Sequence, residues 1–255
     1  MLRVALLDVV AGEVAARALD VDGAVVAAAA RTGVGDDVDA RAAAAREVLR
    51  EVAGAVPPAD WLGLMVVAPE RTTVEDGVLL TVHDALVARL TGVRATPVSY
   101  ACATGMADVS ARDWAPELLR RSGSRAAPVV ETGTVVGELL PGWGLPGALP
   151  VVAGAVREQL LVVAAGGLRD GVLTELDDVR VLTTASPVPV PYGWVLAAHA
   201  APGLWALTGP AGGEPGLSVS EVLRAERPVE VAVAALVSRA VGAHAHLPHA
   251  PGPRT

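Results

Sequence analysis

Three short apolar runs open the chain: Arg3 to Val9, interrupted only by Asp8, then Glu13 to Asp20, then Ala24 to Ala29. Each has strand length, and the Asp22-Gly23 pair between the last two is of the kind that closes a hairpin. Asp36, Asp37 and Asp39 then precede a helical stretch from about Asp39 to Ala53, acidic where a helix dipole favours acid. After Pro57-Pro58, the run Trp61 to Val67 reads as a fourth, buried strand. Three strands, a helix and a strand are the opening of a ribonuclease-H-like, or actin-like, α/β domain.

Further along, the pattern predicts helices over Leu79 to Leu90, closed by Thr91-Gly92, and over Ala115 to Arg121. Val129 to Leu140 reads as mostly extended, and Val151 to Gly154 as a strand entering a helix near Val156. Strand texture returns over Val179 to Thr184, Trp194 to Ala198 and Leu204 to Thr208. This return near Val179 is what a duplicated actin-like architecture would produce. Ser218 and Glu221 have capping-box spacing, which predicts a final helical region divided by Pro228. The Pro-, Gly- and His-containing tail from His244 to Thr255 is expected to be loosely docked or disordered.

Composition changes this picture little. Hydrophobic residues make up 52% of the 255, yet the richest runs, Leu160 to Ala165 and Val231 to Val237, fall well short of the ~20 residues that a spanning helix needs. Net charge is -8, which disfavours nucleic acid as a partner; every basic residue is arginine, from which no function follows. No small-residue cleavage site accompanies Met1 to Val10, so a cytoplasmic protein without a membrane anchor is expected. One cysteine, Cys102, excludes an internal disulfide and a multi-cysteine zinc site.

Five segments, in order, resemble one family. Asp8 to Gly23, DVVAGEVAARALDVDG, is similar to the opening DLGTTSVRAVLFDADG of the FGGY carbohydrate kinases. His83 to Gly92 (HDALVARLTG) resembles their HDYLRYRLTG helix, and Ala107 to Leu119 resembles the segment ending TRDWSPELL. Gly133 to Gly137 with Gly144 to Gly154 (GLPGALPVVAG) resembles GxVxG followed by TGLPxGTPVVAG. Ala198 to Trp205 (AHAAPGLW) resembles CHAVPGRW. The flavour is that of the xylulokinases. The resemblance implies an actin-like fold with a nearly complete N-terminal lobe over 1–165, a truncated C-terminal lobe over 166–243, and the tail. It also implies an activity, transfer of phosphate from Mg-ATP to a sugar or polyol in the cleft between lobes.

The residues that would do this chemistry are altered. Family members carry Gly-Thr-Thr after the first aspartate, where glycine allows a tight turn and hydroxyls bind phosphate. Asp8 is kept here, but Val10, Ala11 and Gly12 follow it. Asp8 could hold a magnesium-bound water or be a satisfied carboxylate at a strand end. The family's catalytic base, an aspartate at the helix entrance after VVAGGG, corresponds to Arg157, which cannot accept a proton at neutral pH. Glu158 would substitute only if it turned about 100° around the helix. The second phosphate loop, LGTSG in the family, is assigned to Thr183, Thr184 and Ser186, with Ala185 between them and Pro187 after. The family's sugar-contacting stretch between about Val67 and Val78 is missing.

Candidate site residues are therefore Asp8 and Glu158 for catalysis, and Gly12, Thr183, Thr184 and Ser186 for nucleotide. Arg157, Gln159 and Trp143 are the candidates for substrate, Trp143 because it lies in a glycine-flanked loop. No metal site is assigned; the HxHxxH positions His244, His246 and His249 lack acidic or cysteine partners, and the glycine-rich Gly209 to Gly216 lacks a Walker lysine. Cys102 reads as a small buried residue with a nucleophile as the alternative. The leading expectation is a homologue that has lost ATP-dependent transfer and works by binding, as a regulatory or partner subunit, self-associating as a dimer or joining another protein. The alternatives are an active kinase with an altered site, using Mg-ATP, and an actin-like scaffold turned to another small-molecule reaction.

Overall fold

The structure is a computed structural model describing residues 1–226 and 228–244. Its first sheet begins with β1 (Arg3–Val10), β2 (Glu13–Leu19) and β3 (Val25–Thr32), followed by α1 (Val38–Ala53) and β4 (Trp61–Val67). β1 to β3 form an antiparallel meander, and β4 joins β1 in parallel, with α1 as the crossover. α1 starts where Asp37 caps it, its side chain accepting from the Ala40 amide at 2.7 Å.

β5 (Thr72–Glu75) and β6 (Val78–Thr81) form a hairpin, and α2 follows over Val82–Thr91. The helix expected from Leu79 therefore begins three residues later. Thr81 and Asp84 form a reciprocal capping box that fixes the boundary, while Val78 to Leu80 pair as strand with β5. Thr96–Pro97 (β7), Ala107–Asp108 (β8), Asp113–Trp114 (β9), Arg125–Ala126 (β10) and Val129–Val130 (β11) are two-residue strands around α3 (Val98–Ala103) and α4 (Pro116–Ser122). β12 (Val135–Glu138) and β13 (Pro150–Val152) complete the first sheet in the order β12-β13-β4-β1-β2-β3, and α5 spans Arg157–Ala165.

The second sheet repeats that plan. It contains β14 (Val172–Glu175), β15 (Val179–Thr184), β16 (Val195–Ala198), β17 (Trp205–Pro210) and β18 (Glu221–Arg224), in the order β16-β17-β15-β14-β18. β14, β15 and β17 form an antiparallel meander like β1 to β3, and β18 joins β14 in parallel as β4 joins β1. No helix bridges β17 to β18; Ala211 to Ser220 make the crossing as a loop. The capping-box reading of Ser218 and Glu221 is corrected accordingly. Glu221 to Arg224 satisfy the free edge of β14, and one helix, α6 (Val229–His244), begins directly after Pro228.

Apolar side chains of β1 alternate between two cores. Ala5, Leu7 and Val9 face α1 and α2, whereas Val4 and Leu6 face α5 and α6. Val229, Ala232, Val233, Val237 and Ala240 make a buried stripe at helical spacing, so α6 covers the second face of the first sheet. His246 and His249 lie outside the described residues, and only the backbone of His244 is described, as the last residue of α6.

Candidate functional site

The C-terminal ends of β1, β4 and β13 point to one crevice, where ligands collect in α/β sheets. Asp8 stands near the end of β1 on the α5 side, 6% exposed. Arg17 on β2 is the diagonal cross-strand neighbour of Asp8, and its Nη1 donates to Asp8 Oδ2 at 2.9 Å. Arg157, the first residue of α5, donates from Nη2 to the other oxygen, Oδ1. Arg17 also pairs with Glu230 on α6 through Nε at 3.4 Å. One chain of alternating charge, Arg157–Asp8–Arg17–Glu230, thus crosses the end of the sheet.

A cation on the first turn of a helix opposes the dipole, so Asp8 supplies the compensating charge. Burial works against the Arg157 charge, yet the bond and charge of Asp8 outweigh it and hold the guanidinium above its usual range. Each Asp8 oxygen is already engaged by a guanidinium. A magnesium ion or its bound water, and a sugar hydroxyl proton, all require an accessible carboxylate oxygen there. The residues present do not fit a metal–nucleotide at this position. Among the described residues no group of three metal-ligating side chains occurs.

Gly12 occupies the β1–β2 turn with φ +72°, and a Cβ there would meet open space. Its freedom serves the turn. Val9, Val10 and Ala11 form one wall of a cavity of about 310 Å³ whose other sides carry Arg41, Glu70, Arg157 and Glu158. The second hairpin requires a correction. By topology its counterpart of the β1–β2 turn is the β14–β15 turn, Leu176 to Asp178, not the segment Thr183 to Ser186. Thr183 and Thr184 end β15 at its far end; Thr183 Oγ1 donates to Gly167 O at 2.7 Å and Thr184 Oγ1 to Ser186 O at 2.9 Å. The turn itself carries exposed Asp177 and Asp178, with Glu175 just before it. The sequence shows the acidic tip plainly. The pairing of Val172–Glu175 with β15 sets the register of this hairpin.

Trp143 is also corrected. It is 3% exposed in the α1-side core, with the Arg46 guanidinium 4.7 Å from its ring centroid, on the sheet face opposite Asp8. Gln159 lies at the cleft, 3% exposed, its Nε2 donating to Ala198 O at 3.0 Å. Glu158 is half-buried and lines both the 310 Å³ cavity and a second of about 290 Å³ between α3, α5 and the second sheet. Glu70 lines both cavities too, exposed at their rim. Its carboxyl is pushed above the ordinary range, first by displaced water and second by the charge of Glu158.

Sequence reasoning missed α3 as the hub. Tyr100 Oη donates to Ala68 O at 2.9 Å and accepts from Ala68 N at 3.0 Å, fixing the loop that carries Glu70. Ser99 Oγ accepts from Val156 N at 3.2 Å and fixes the entrance of α5. Gly154 has the Val66 carbonyl against the place of a Cβ, which lets α5 enter close to β4. Cys102 Sγ accepts from Ala198 N at 3.4 Å, and burial pushes its thiol above the usual range, which suits a packed residue over a nucleophile. A serine-tyrosine pair one residue beyond Pro97 was the only signal for this hub.

Residues 68–164 match the family model described as the N-terminal domain of the FGGY family of carbohydrate kinases. An autoinducer-2 kinase of Enterobacter sp. (strain 638) is 41% identical over 97 residues, 35% of this chain and 18% of that protein. The autoinducer-2 kinase of Escherichia coli (strain K12) is 32% identical over 149 residues, 54% of this chain and 27% of that protein. The fold matches xylulose kinase from Rhodospirillum rubrum with TM-score 0.72 at 19% identity, over 82% of this chain and 60% of that one. It matches Plasmodium falciparum glycerol kinase with ADP with TM-score 0.70 at 10% identity, over 82% and 61%. The chain thus spans about a quarter or less of these curated relatives and about three-fifths of the solved structures. Among the described residues no helix is long and apolar enough to cross a membrane. The fold is thus the actin-like α/β fold of these sugar-kinase structures, and residues 68–164 are similar to the N-terminal domain of the FGGY family of carbohydrate kinases.

Proposed function

We propose that this chain binds a small molecule in the cleft between its two sheets and does not transfer phosphate. One observation carries the reading: Asp8 is held between Arg157 and Arg17, with arginine standing where the resemblance places the catalytic base. Phosphoryl transfer asks a protein for positioning and for neutralisation of phosphate charge. In the first hairpin Asp8 is neutralised by protein, and the second offers phosphate an acidic turn.

The test is calorimetric titration with Mg-ATP, together with an ADP-release assay against xylulose, glycerol and autoinducer-2, the compounds named by the relatives. The expected results are no saturable heat at millimolar nucleotide and no release above a no-enzyme control. Turnover of any of the three would overturn the reading. A protein partner or a second copy of the chain belongs to the same proposal. Val195 on β16 and Val222 on β18 are exposed on the two edge strands of the second sheet. Sedimentation velocity over a wide concentration range reads whether these edges pair.

A further inference from the structure

We infer that the ligand of the cleft is a small aliphatic amine, its ammonium group between Glu70 and Glu158 and one N–H donated to Gln159 Oε1. This rests on the binding reading above and narrows its ligand class.

Gln159 is the starting point. Ala198 O can only accept, so the Gln159 atom facing it is the amide nitrogen, and Oε1 is left as an acceptor. That Oε1 is buried and has no hydrogen-bond partner, in a side chain 3% exposed on the wall of the 290 Å³ cavity. A buried acceptor without a donor costs about 1–3 kcal/mol, so a donor from a ligand is favoured at this atom.

Charge selects which donor. Glu70 and Glu158 line this cavity and its 310 Å³ neighbour, so they stand where the two meet. Neither forms an ion pair among the described residues. The cations lining the 310 Å³ cavity are paired elsewhere, Arg157 with Asp8 and Arg41 and Arg71 with Asp36; no arginine lines the 290 Å³ cavity, and the chain contains no lysine. A polyol would satisfy Gln159 but leave the repelling charges of Glu70 and Glu158 without a counter-charge inside the 290 Å³ cavity. An anion would add to the repulsion. An ammonium ion meets both needs, with N–H groups for Oε1 and charge for the carboxylates. Ala103, Val156 and Ala197 line the remaining wall and suit an aliphatic body.

The experiment uses three ring compounds of one shape, cyclohexylamine, cyclohexanol and cyclohexanecarboxylate, against the full chain by saturation-transfer NMR at neutral pH. Cyclohexylamine should bind about tenfold or more tightly than the alcohol, and the carboxylate should not bind. Glu158→Gln should weaken the amine by about tenfold and leave the alcohol unchanged. Glu70→Gln, at the exposed rim, does the same and carries little risk to folding. Equal binding of amine and alcohol, no amine binding, or amine binding unchanged in both variants would each overturn the inference. ADP release in the separate kinase assay would sink the binding reading. Failure with the amine in a chain that still releases no ADP would sink this inference alone.

Discussion

The β1–β2 and β14–β15 hairpins are the same device built twice, and they carry their acidic groups in different ways. In the first, the acidic group is kept and locked: Asp8 has a guanidinium on each oxygen, and Val10 and Ala11 provide no hydroxyl beside it. In the second, the turn has gained charge instead, with Asp177 and Asp178 exposed at its tip. The first is a structural ion network tied into α5 and α6; the second is a solvated turn. The two should therefore respond very differently to substitution.

The largest effect is expected at Asp8. Asp8→Leu leaves Arg157 on a helix first turn without its anion and Arg17 with only Glu230. Breaking a fully buried pair costs 3–5 kcal/mol; because Arg157 and Arg17 are 37% and 26% exposed, about 3 kcal/mol is expected. The double variant Asp8→Leu with Arg157→Leu should regain much of this, since an apolar pair replaces a charged one. Urea denaturation of the four proteins of that cycle measures it. A single Asp8→Leu loss below half a kcal/mol would mean that the network is not structural, and the contrast between hairpins would fail.

Next comes the joint that holds the two sheets together. Arg112 donates from Nη1 to Leu204 O at 2.7 Å and from Nη2 to His199 O at 3.1 Å. His199, fully buried, accepts from Ala201 N at Nδ1, and its pKa is lowered to about 4 by burial first and by the Arg112 charge second. The folded-state value lies below the unfolded one, so the unfolded chain takes up the proton first as pH falls. The stability that neutral His199 contributes is complete above about pH 6.5 and declines toward pH 4. By pH 5.5 the loss is on the order of 1 kcal/mol. His199→Asn keeps an acceptor for Ala201 and removes the titration, so its stability should fall less than the parent's between pH 7.5 and 5.5. Parallel pH profiles for the two proteins would contradict this.

At Gly12 the expected change is smaller. The residue has φ +72° and free space at its Cβ position, so Gly12→Ala adds backbone strain without a clash, costing about 1 kcal/mol. A cost of 3 kcal/mol or more would show that the first turn is packed against something else, and its description as open would be wrong.

Much of this was legible from the chain. The first meander, α1 and β4 follow from apolar periodicity, the Asp22-Gly23 turn and the acidic helix start, and the observed bounds differ by a few residues at most. Tertiary pairing decided the rest. Val78 to Leu80 looked helical because α2 follows without a break, and Glu221 to Arg224 looked like a helix start because Ser218 and Glu221 have capping spacing; both segments complete neighbouring strands. At the site, the substitution of Arg157 was visible, but its partner was not. Asp8 and Arg157 are 149 residues apart, and only the convergence of β1 and α5 joins them. Glu70, Ser99 and Tyr100 carry no motif, and their roles arise from the packing of α3.

The smallest stability change belongs to the second turn, and it is the sharpest test of the comparison. Asp177 and Asp178 are exposed and form no ion pair among the described residues, so Asp177→Ser with Asp178→Ser should shift stability by no more than about 0.5 kcal/mol. The same double variant removes two negative charges and restores two hydroxyls where a phosphate would approach. If only the acidic turn kept nucleotide away, calorimetry on this variant would reveal Mg-ATP binding. We expect none, because Asp8 remains between its two arginines and the first turn still lacks hydroxyls. Saturable Mg-ATP binding in the double serine variant would show that the first hairpin accepts nucleotide as it stands. The barrier to nucleotide would then lie in one turn of the second sheet, and the contrast between the two hairpins would fail.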